Sequence, residues 1–263
     1  MSEFCSLNIW DFVHKKANFH THTTRCHHAS GLDREYVEQA IAGGYQVLGF
    51  SDHGPIVRHD GYVSHIRMAP EELEGYVASL EALRAEFRGE IELYIGLEVE
   101  YMPRFFRETV NFYRQFPIDY LILGQHYFAE EGLTPYVADA LTDPKYVEEY
   151  VQAVSDALDT GLFLYQAHTD LFRFCGDQGR YWAGMQKILD ILKSKNLPVE
   201  VNGNGFREGR HYPNAEFLRM AADNGNPFLI GVDAHAPDRL TETATLEGCR
   251  KLVEQVGGKL ICL

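Results

Sequence analysis

Histidine and carboxylate recur along this chain at six short stations. His20-Thr-His22 opens NFHTHTTRCHH, His53 ends GFSDH and Glu98 sits in YIGLEVEY. His126 follows in ILGQHY, His168 in YQAHTD with Asp170 close behind it, and Asp233-Ala-His235 in IGVDAH. Each station comes after a short apolar run. Imidazole and carboxylate are the ligands that hold two or three divalent ions while leaving positions open for water. The expected chemistry is metal-dependent hydrolysis.

Residue by residue, the stations carry different weight. His20 and His22 are two apart at a strand end, so their side chains share one side and can capture one ion together. Asp233 and His235 repeat that spacing, with an arginine ion pair as the plain alternative for Asp233. His28 lies eight residues beyond His20 and can return to the same place; it is preferred to His27, and Cys26 is a soft alternative ligand. His53 follows Asp52, which reads equally well as a partner to a histidine or a strand-end cap. Glu98 ends a buried run, where an unpaired carboxylate is costly, so a metal partner is expected. Glu100, two residues on, is closer to a loop and is expected to be solvated. His126 and His168 each stand alone, but independent core histidines would not all choose the same end of successive strands. The other five, His14, His27, His59, His65 and His211, follow no such rule; His59 and His65 fall in a long loop, IVRHDGYVSHIRM, expected to be solvated.

What must position these groups is an alternation of short β-like and longer helical runs. Strands are expected at 16–21, 47–51, 91–97, 120–124, 162–166, 198–202, 228–232 and 259–263. Helices are expected at 34–42, 70–88, 145–160, 181–195, 214–224 and 241–256. Leu73, Tyr76, Val77, Leu80 and Leu83 recur at helical spacing, and Pro70 suits a first helical turn. Seven or eight β-then-α units argue for a parallel sheet closed into a barrel, with its chemistry at the C-terminal strand ends. No linker or low-complexity tract divides the chain, so one domain over residues 1–263 is expected.

Bulk properties exclude several classes. With 38 acids against 24 bases, a formal net charge of −14, the chain lacks the basic track that extended nucleic-acid binding or an anionic membrane would need. No apolar run is long enough to cross a bilayer, and MSEFCSLNIWDF lacks the order of a secretory signal. Five irregularly spaced cysteines form no disulfide framework, and a cytoplasmic location is expected.

Taken in order, HTHTxxCxHA, GFSDH, GLEVEY, a mid-chain His, AHTD and DAH resemble the polymerase-and-histidinol-phosphatase (PHP) superfamily, over about residues 18–235. The resemblance implies a distorted, TIM-like (β/α)7 barrel with three divalent metal ions, zinc, manganese or iron. Carried over by position, His20, His22, Glu98 and Asp233 would bind one ion. Glu98 would bridge to a second, held by His126 and His168, and His28, His53 and His235 would hold the third. HTHTTRCHHASG, GLEVEY and VEVNGNGFREGRHYP are most similar to the stand-alone histidinol-phosphate phosphatases. That similarity implies a phosphate contact at Arg207, with Arg210 as a close alternative, and a second at Arg173. For all three, ordinary surface ion pairing is the plain alternative. Two departures, GQHYF for GSVHF and VDAH for SDAH, keep the ligands and bear on their hydrogen-bonding surroundings, hence on the substrate.

The reaction so implied is hydrolysis of a small phosphate monoester, L-histidinol phosphate foremost. Metals would activate a bridging water, arginines would hold the phosphoryl oxygens, and Asp52, Asp170 or a water at the metals would protonate the leaving group. Nucleotides or phosphotyrosine are the alternative substrates, and a catalytically silent metal-binding protein is the non-enzymatic alternative. An amidohydrolase-type barrel also opens with His-x-His but usually needs a lysine on its fourth strand, and YLILGQHY has none.

Overall fold

The computed structural model describes residues 5–262. Leu263, the last position of the expected terminal strand, and the opening MSEF lie outside the described residues. Eight strands form one sheet: β1 (Ala17–Asn18), β2 (Val47–His53), β3 (Glu92–Val99), β4 (Tyr120–Leu123), β5 (Phe163–Gln166), β6 (Val199–Asn202), β7 (Pro227–Gly231) and β8 (Lys259–Cys262). The strand order follows the chain order, and every neighbouring pair is parallel. Helices cover the outside: α1 (Asp33–Ala42), α2 (Leu73–Glu86), α3 (Phe106–Tyr113), α4 (Lys145–Asp159), α5 (Gln178–Ser194), α6 (Gly203–Arg207), α7 (Ala215–Asn224) and α8 (Thr243–Gln255). Sheathing on both faces is why the strands read as unbroken apolar runs; β2 is buried at every position.

The seam of the barrel is built differently at its two ends. At the mouth, Thr21 bridges Ala234; His22 N donates to Ala234 O (2.9 Å) and Ala234 N to His20 O (3.2 Å). Seven strands therefore close the mouth, as the resemblance implied. At the base β8 fills the seam, paired with the start of β7 on one side and receiving a bond from His14 N at Ile261 O (3.1 Å) on the other. β1 is regular for two residues only, shorter than the expected 16–21. Beyond it the buried Asn18 side chain replaces the ladder: its Oδ1 accepts from Val232 N (2.9 Å) and His20 N (3.3 Å), and its Nδ2 donates to His20 O (3.1 Å) and Thr21 Oγ1 (2.7 Å).

Two short helices were not anticipated. α3 has eight residues, and α6 has five inside NGNGFR, a sequence with turn character, where the Asn202 side chain caps it by accepting from Gly205 N (2.8 Å). The helix expected at 214–224 begins with the same device, Asn214 accepting from Glu216 N and Phe217 N, and ends at Gly225 in the left-handed region (φ 82°). One large apolar cluster lies between sheet and helices. A second joins Phe12, from a short 3-10 helix (Ile9–Phe12), to Phe19, Tyr120, Tyr165, Leu229 and Ile261, residues on or beside strands far apart in the ring that can meet only inside it. The cysteines at 5, 26, 175, 249 and 262 are all free. Among the described residues, no helix is long and apolar enough to cross a membrane.

Candidate metal centre

All nine anticipated ligands lie at or just past C-terminal strand ends or in the loops above them, and they converge on the barrel mouth. Their tightest grouping is four atoms: His20 Nε2, His22 Nε2, Glu98 Oε2 and Asp233 Oδ1. Glu98 Oε2 lies 3.4 Å from each imidazole nitrogen, and Asp233 Oδ1 lies 3.6 Å from His20 and 3.1 Å from His22. A four-coordinate zinc-type ion with bonds of about 2.0–2.1 Å sets its ligand atoms roughly 3.3–3.4 Å apart. His20 Nε2, Glu98 Oε2 and Asp233 Oδ1 are all buried without a hydrogen-bond partner. Buried polar atoms at this spacing, aimed at one point, fit a cation.

The other oxygen of Glu98 looks elsewhere. Oε1 lies 2.9 Å from His168 Nε2 and 3.6 Å from His126 Nε2, so one carboxylate serves two sets of histidines. Space for it comes from Gly124, just past β4, because a Cβ there would overlap the Glu98 carboxylate. The third anticipated set, His28, His53 and His235, is looser. The His28 and His235 rings are tilted against each other at 4.7 Å between centroids, those of His28 and His53 at 5.4 Å, and His53 Nδ1 reaches Glu98 Oε2 at 3.2 Å. Donor atoms near enough to share an ion here are those of His22, His53 and His235, and those of Cys26, His28 and His235. His27 faces away, exposed, with its backbone in the left-handed region (φ 67°).

The charges of the cluster are strongly coupled. Burial alone would raise the carboxyl of Glu98, but the imidazoles of His53, His20 and His126 hold it well below the usual carboxylate range. Burial would likewise raise Asp233, and His20 and His235 pull it well below. Burial opposes protonation of His20, yet Asp233, Glu200 and Glu98 carry it well above the ordinary histidine value.

Behind the anticipated ligands stand carboxylates that orient them, as is usual for metal-binding histidines. Glu200, fully buried on β6, accepts from His20 Nδ1 (2.8 Å), His168 N (2.6 Å) and Asn202 Nδ2 (3.0 Å). Gly231 makes room for it. Glu200 was not among the anticipated site residues, although a carboxylate between the buried Val199 and Val201 carries the same signal as Glu98. Glu100 departs from expectation. It is buried rather than solvated, 2.9 Å from His126 Nδ1 and 2.9 Å from Arg67 Nη2, because the segment between β2 and α2 brings Arg67 against it. Asp52 stands behind His22, with Oδ1 3.5 Å from Nδ1, and accepts from Thr23 N (3.2 Å) and from the Thr23 hydroxyl.

A cavity of about 420 Å³ opens over the ligands. Beyond the metal-facing groups its wall includes Tyr136, Asn204, Arg207, Arg210, Tyr212 and Arg239. A larger hollow of about 580 Å³, against Lys15, Lys16, Arg250 and Ile261, holds none of the anticipated ligands, so volume alone would misplace the site. Arg207 and Arg210 are brought to the cavity; Arg173 is exposed and outside its wall. Asp52 and Asp170 are buried behind the wall rather than in it. Burial pushes the Asp170 carboxyl up to about 7, and its Oδ2 accepts from Asn214 N (2.6 Å). His59 pairs with Glu108 at the surface, and His211 bonds to Leu171 O (2.8 Å). Tyr136, on a loop past β4, and Arg239, in a short 3-10 helix (Pro237–Thr241) past β7, had no sequence signal of their own; Tyr212 fell inside VEVNGNGFREGRHYP but was given no role there.

The chain is similar to several known proteins. A probable histidinol-phosphatase of Deinococcus radiodurans is 30% identical over 92% of this chain and 94% of its own length. The histidinol-phosphatase of Bacillus subtilis is 23% identical over 84% and 94% respectively. Among solved structures, the histidinol phosphate phosphatase of Lactococcus lactis, complexed with zinc, L-histidinol and phosphate, superposes with a TM-score of 0.72 at 23% identity, covering 94% of this chain and 95% of that one. The PHP domain family matches residues 18–204, from β1 into α6, a stretch holding seven of the nine converging ligands. The chain belongs to the PHP domain family.

Proposed function

We propose that this protein is a metal-dependent phosphatase that hydrolyses a small phosphate monoester, L-histidinol phosphate, to L-histidinol and phosphate. The observation that carries the reading is the guanidinium of Arg207 over the ligand cluster. Its Nη2 is held by Asn204 Oδ1, while Nε and Nη1 are buried without a hydrogen-bond partner. Glu208 and Glu242 lie 3.6 and 3.8 Å away, close enough to attract but not to bond. Arg207 lines the cavity beside Arg210, and a planar guanidinium held there is suited to phosphoryl oxygens. The kinship with a probable histidinol-phosphatase supports the choice of ester.

Three divalent ions would be held by His20, His22, Glu98 and Asp233; by Glu98, His126 and His168; and by His28, His53 and His235. When bound, such ions lower the pKa of water and polarise phosphoryl oxygens. The chain's own part is to bind and orient. Arg207 and Arg210 fix the phosphoryl group, the two tyrosines wall the leaving group, and Glu200, Glu100 and Asp52 lock the imidazoles they touch. Asp170, its Oδ1 buried and unpartnered, fixes the start of α7 through Asn214 N and thereby the segment carrying Arg210 and Tyr212. That role suits its position better than donating a proton to the leaving alkoxide, and Asp52, sealed behind His22, is an orienting group for the same reason.

The test is phosphate release from L-histidinol phosphate, nucleoside monophosphates and phosphotyrosine with manganese or zinc supplied. Preference for histidinol phosphate, with KM raised by Arg207→Met and metal content unchanged, is the expected result. Turnover confined to another ester would move the substrate, and turnover of none by the metal-loaded protein would overturn the reading.

A further inference from the structure

The long segment between β2 and α2, expected to be a solvated loop, buries one of the largest charged side chains in the protein. Arg67 is 2% exposed. Its Nη2 donates to Glu100 Oε1 (2.9 Å) and its Nε to Glu131 Oε2 (2.6 Å). The far end of this chain of charges is fastened to the loop: Ser64 Oγ (2.6 Å) and Tyr62 Oη (3.2 Å) both donate to Glu131 Oε1, and Arg58 Nη1 donates to Glu131 O (3.0 Å). The near end is fastened to a metal-facing histidine. Glu100 Oε1 accepts from His126 Nδ1 (2.9 Å) and also faces His126 N (3.2 Å).

We propose that Arg67 is a positioning residue for His126, acting through Glu100, and that the 56–69 loop is latched on Glu131 in order to hold it there. The proposal rests on the metal reading above. Burying an arginine with two glutamates costs desolvation that packed apolar side chains would not incur, so this triad is a poor way to stabilise a loop. It is a good way to fix a ring. A histidine end-group turns about its last torsion, and a hydrogen bond at Nδ1 decides which nitrogen carries the proton and where the other points. Here the bond at Nδ1 leaves Nε2 facing Glu98 Oε1. The oxygen making that bond, Glu100 Oε1, is itself held by Arg67 Nη2. Tyr136, whose ring lies nearly parallel to that of His126 and lines the cavity, is tied to the same strip of chain through its bridge to Tyr127.

The relay is tested on the purified holoprotein by metal content and by the rate at which each ion is lost to a chelator, alongside the melting temperature. His126→Ala marks the ion that this histidine holds. Arg67→Met should lose that ion about 10- to 100-fold faster than the wild type, the usual effect of removing an outer partner of a metal ligand, with the remaining ions released at wild-type rates. Glu131→Gln, which leaves both Arg67 and Glu100 in place, should accelerate loss of the same ion to a smaller degree; it carries the test if Arg67→Met does not fold. Release at wild-type rates in a folded Arg67→Met protein, even with a lowered melting temperature, would assign Arg67 a purely structural role and overturn the proposal alone. Wild-type protein that binds no ion would overturn the metal reading and the relay together.

Discussion

Glu98 spends its two oxygens in different directions, and its neighbours follow from that. Because Oε2 faces His20 and His22 while Oε1 faces His168 and His126, Glu98→Gln should reduce the metal content of two positions at once, read by elemental analysis. Glu200→Gln should act at one remove. With the carboxylate on His20 Nδ1 neutralised, affinity for the ion at His20 and His22 should fall by about 10- to 100-fold, measured by titration of the metal-free protein. The residues that converge on the mouth were legible in sequence because imidazole and carboxylate at strand ends have few other reasons to be there. Their supports were less so. Glu98 and Glu100 are two residues apart on one face, and only the path of the segment carrying Arg67 decides that Glu100 is buried against it.

At the scale of elements, the strands do more than end at the right height. Gly124 gives up a side chain so that Glu98 can stand beside it. Gly124→Ala should push the carboxylate out of register and lower metal content while leaving the far-ultraviolet spectrum unchanged. Asn18 stands in for the missing length of β1, and Asn18→Ala would strand the buried amides of Val232 and His20. At about 1–3 kcal/mol per orphaned group the variant should unfold at clearly lower urea than the wild type. Strand positions were readable from apolar runs, but the brevity of β1 was not. A side chain that imitates a backbone ladder looks like any other asparagine in a strand pattern. The same ambiguity hid α6, whose Gly and Asn read as a turn until Asn202 is seen capping them.

For the whole molecule, the latch at Glu131 sets part of the acid stability. Burial would raise the Glu131 carboxyl, but Arg67, with Ser64 and Tyr62, holds it below the ordinary glutamate value. A depressed folded value means the native state releases this proton more readily than the unfolded chain. The stability it contributes is therefore present above the unfolded value of about 4.3 and is lost as pH falls through the folded one. Wild type and Glu131→Gln should differ in urea midpoint at neutral pH and converge only as pH falls below the depressed folded value. The barrel class was visible from the count of β-then-α units, but the unequal seam was not, since nothing in the terminal apolar run says that β8 stops at the base. That seam also sets an order of events in time. His20 and His22 leave the ribosome more than two hundred residues ahead of Asp233, and they meet it only when the stretch past β7 has come round to Thr21. A nascent or truncated chain ending short of that point already carries His20, His22 and Glu98 but lacks Asp233 and the closed seam, so this four-residue cluster is the part of the mouth that only a finished ring assembles.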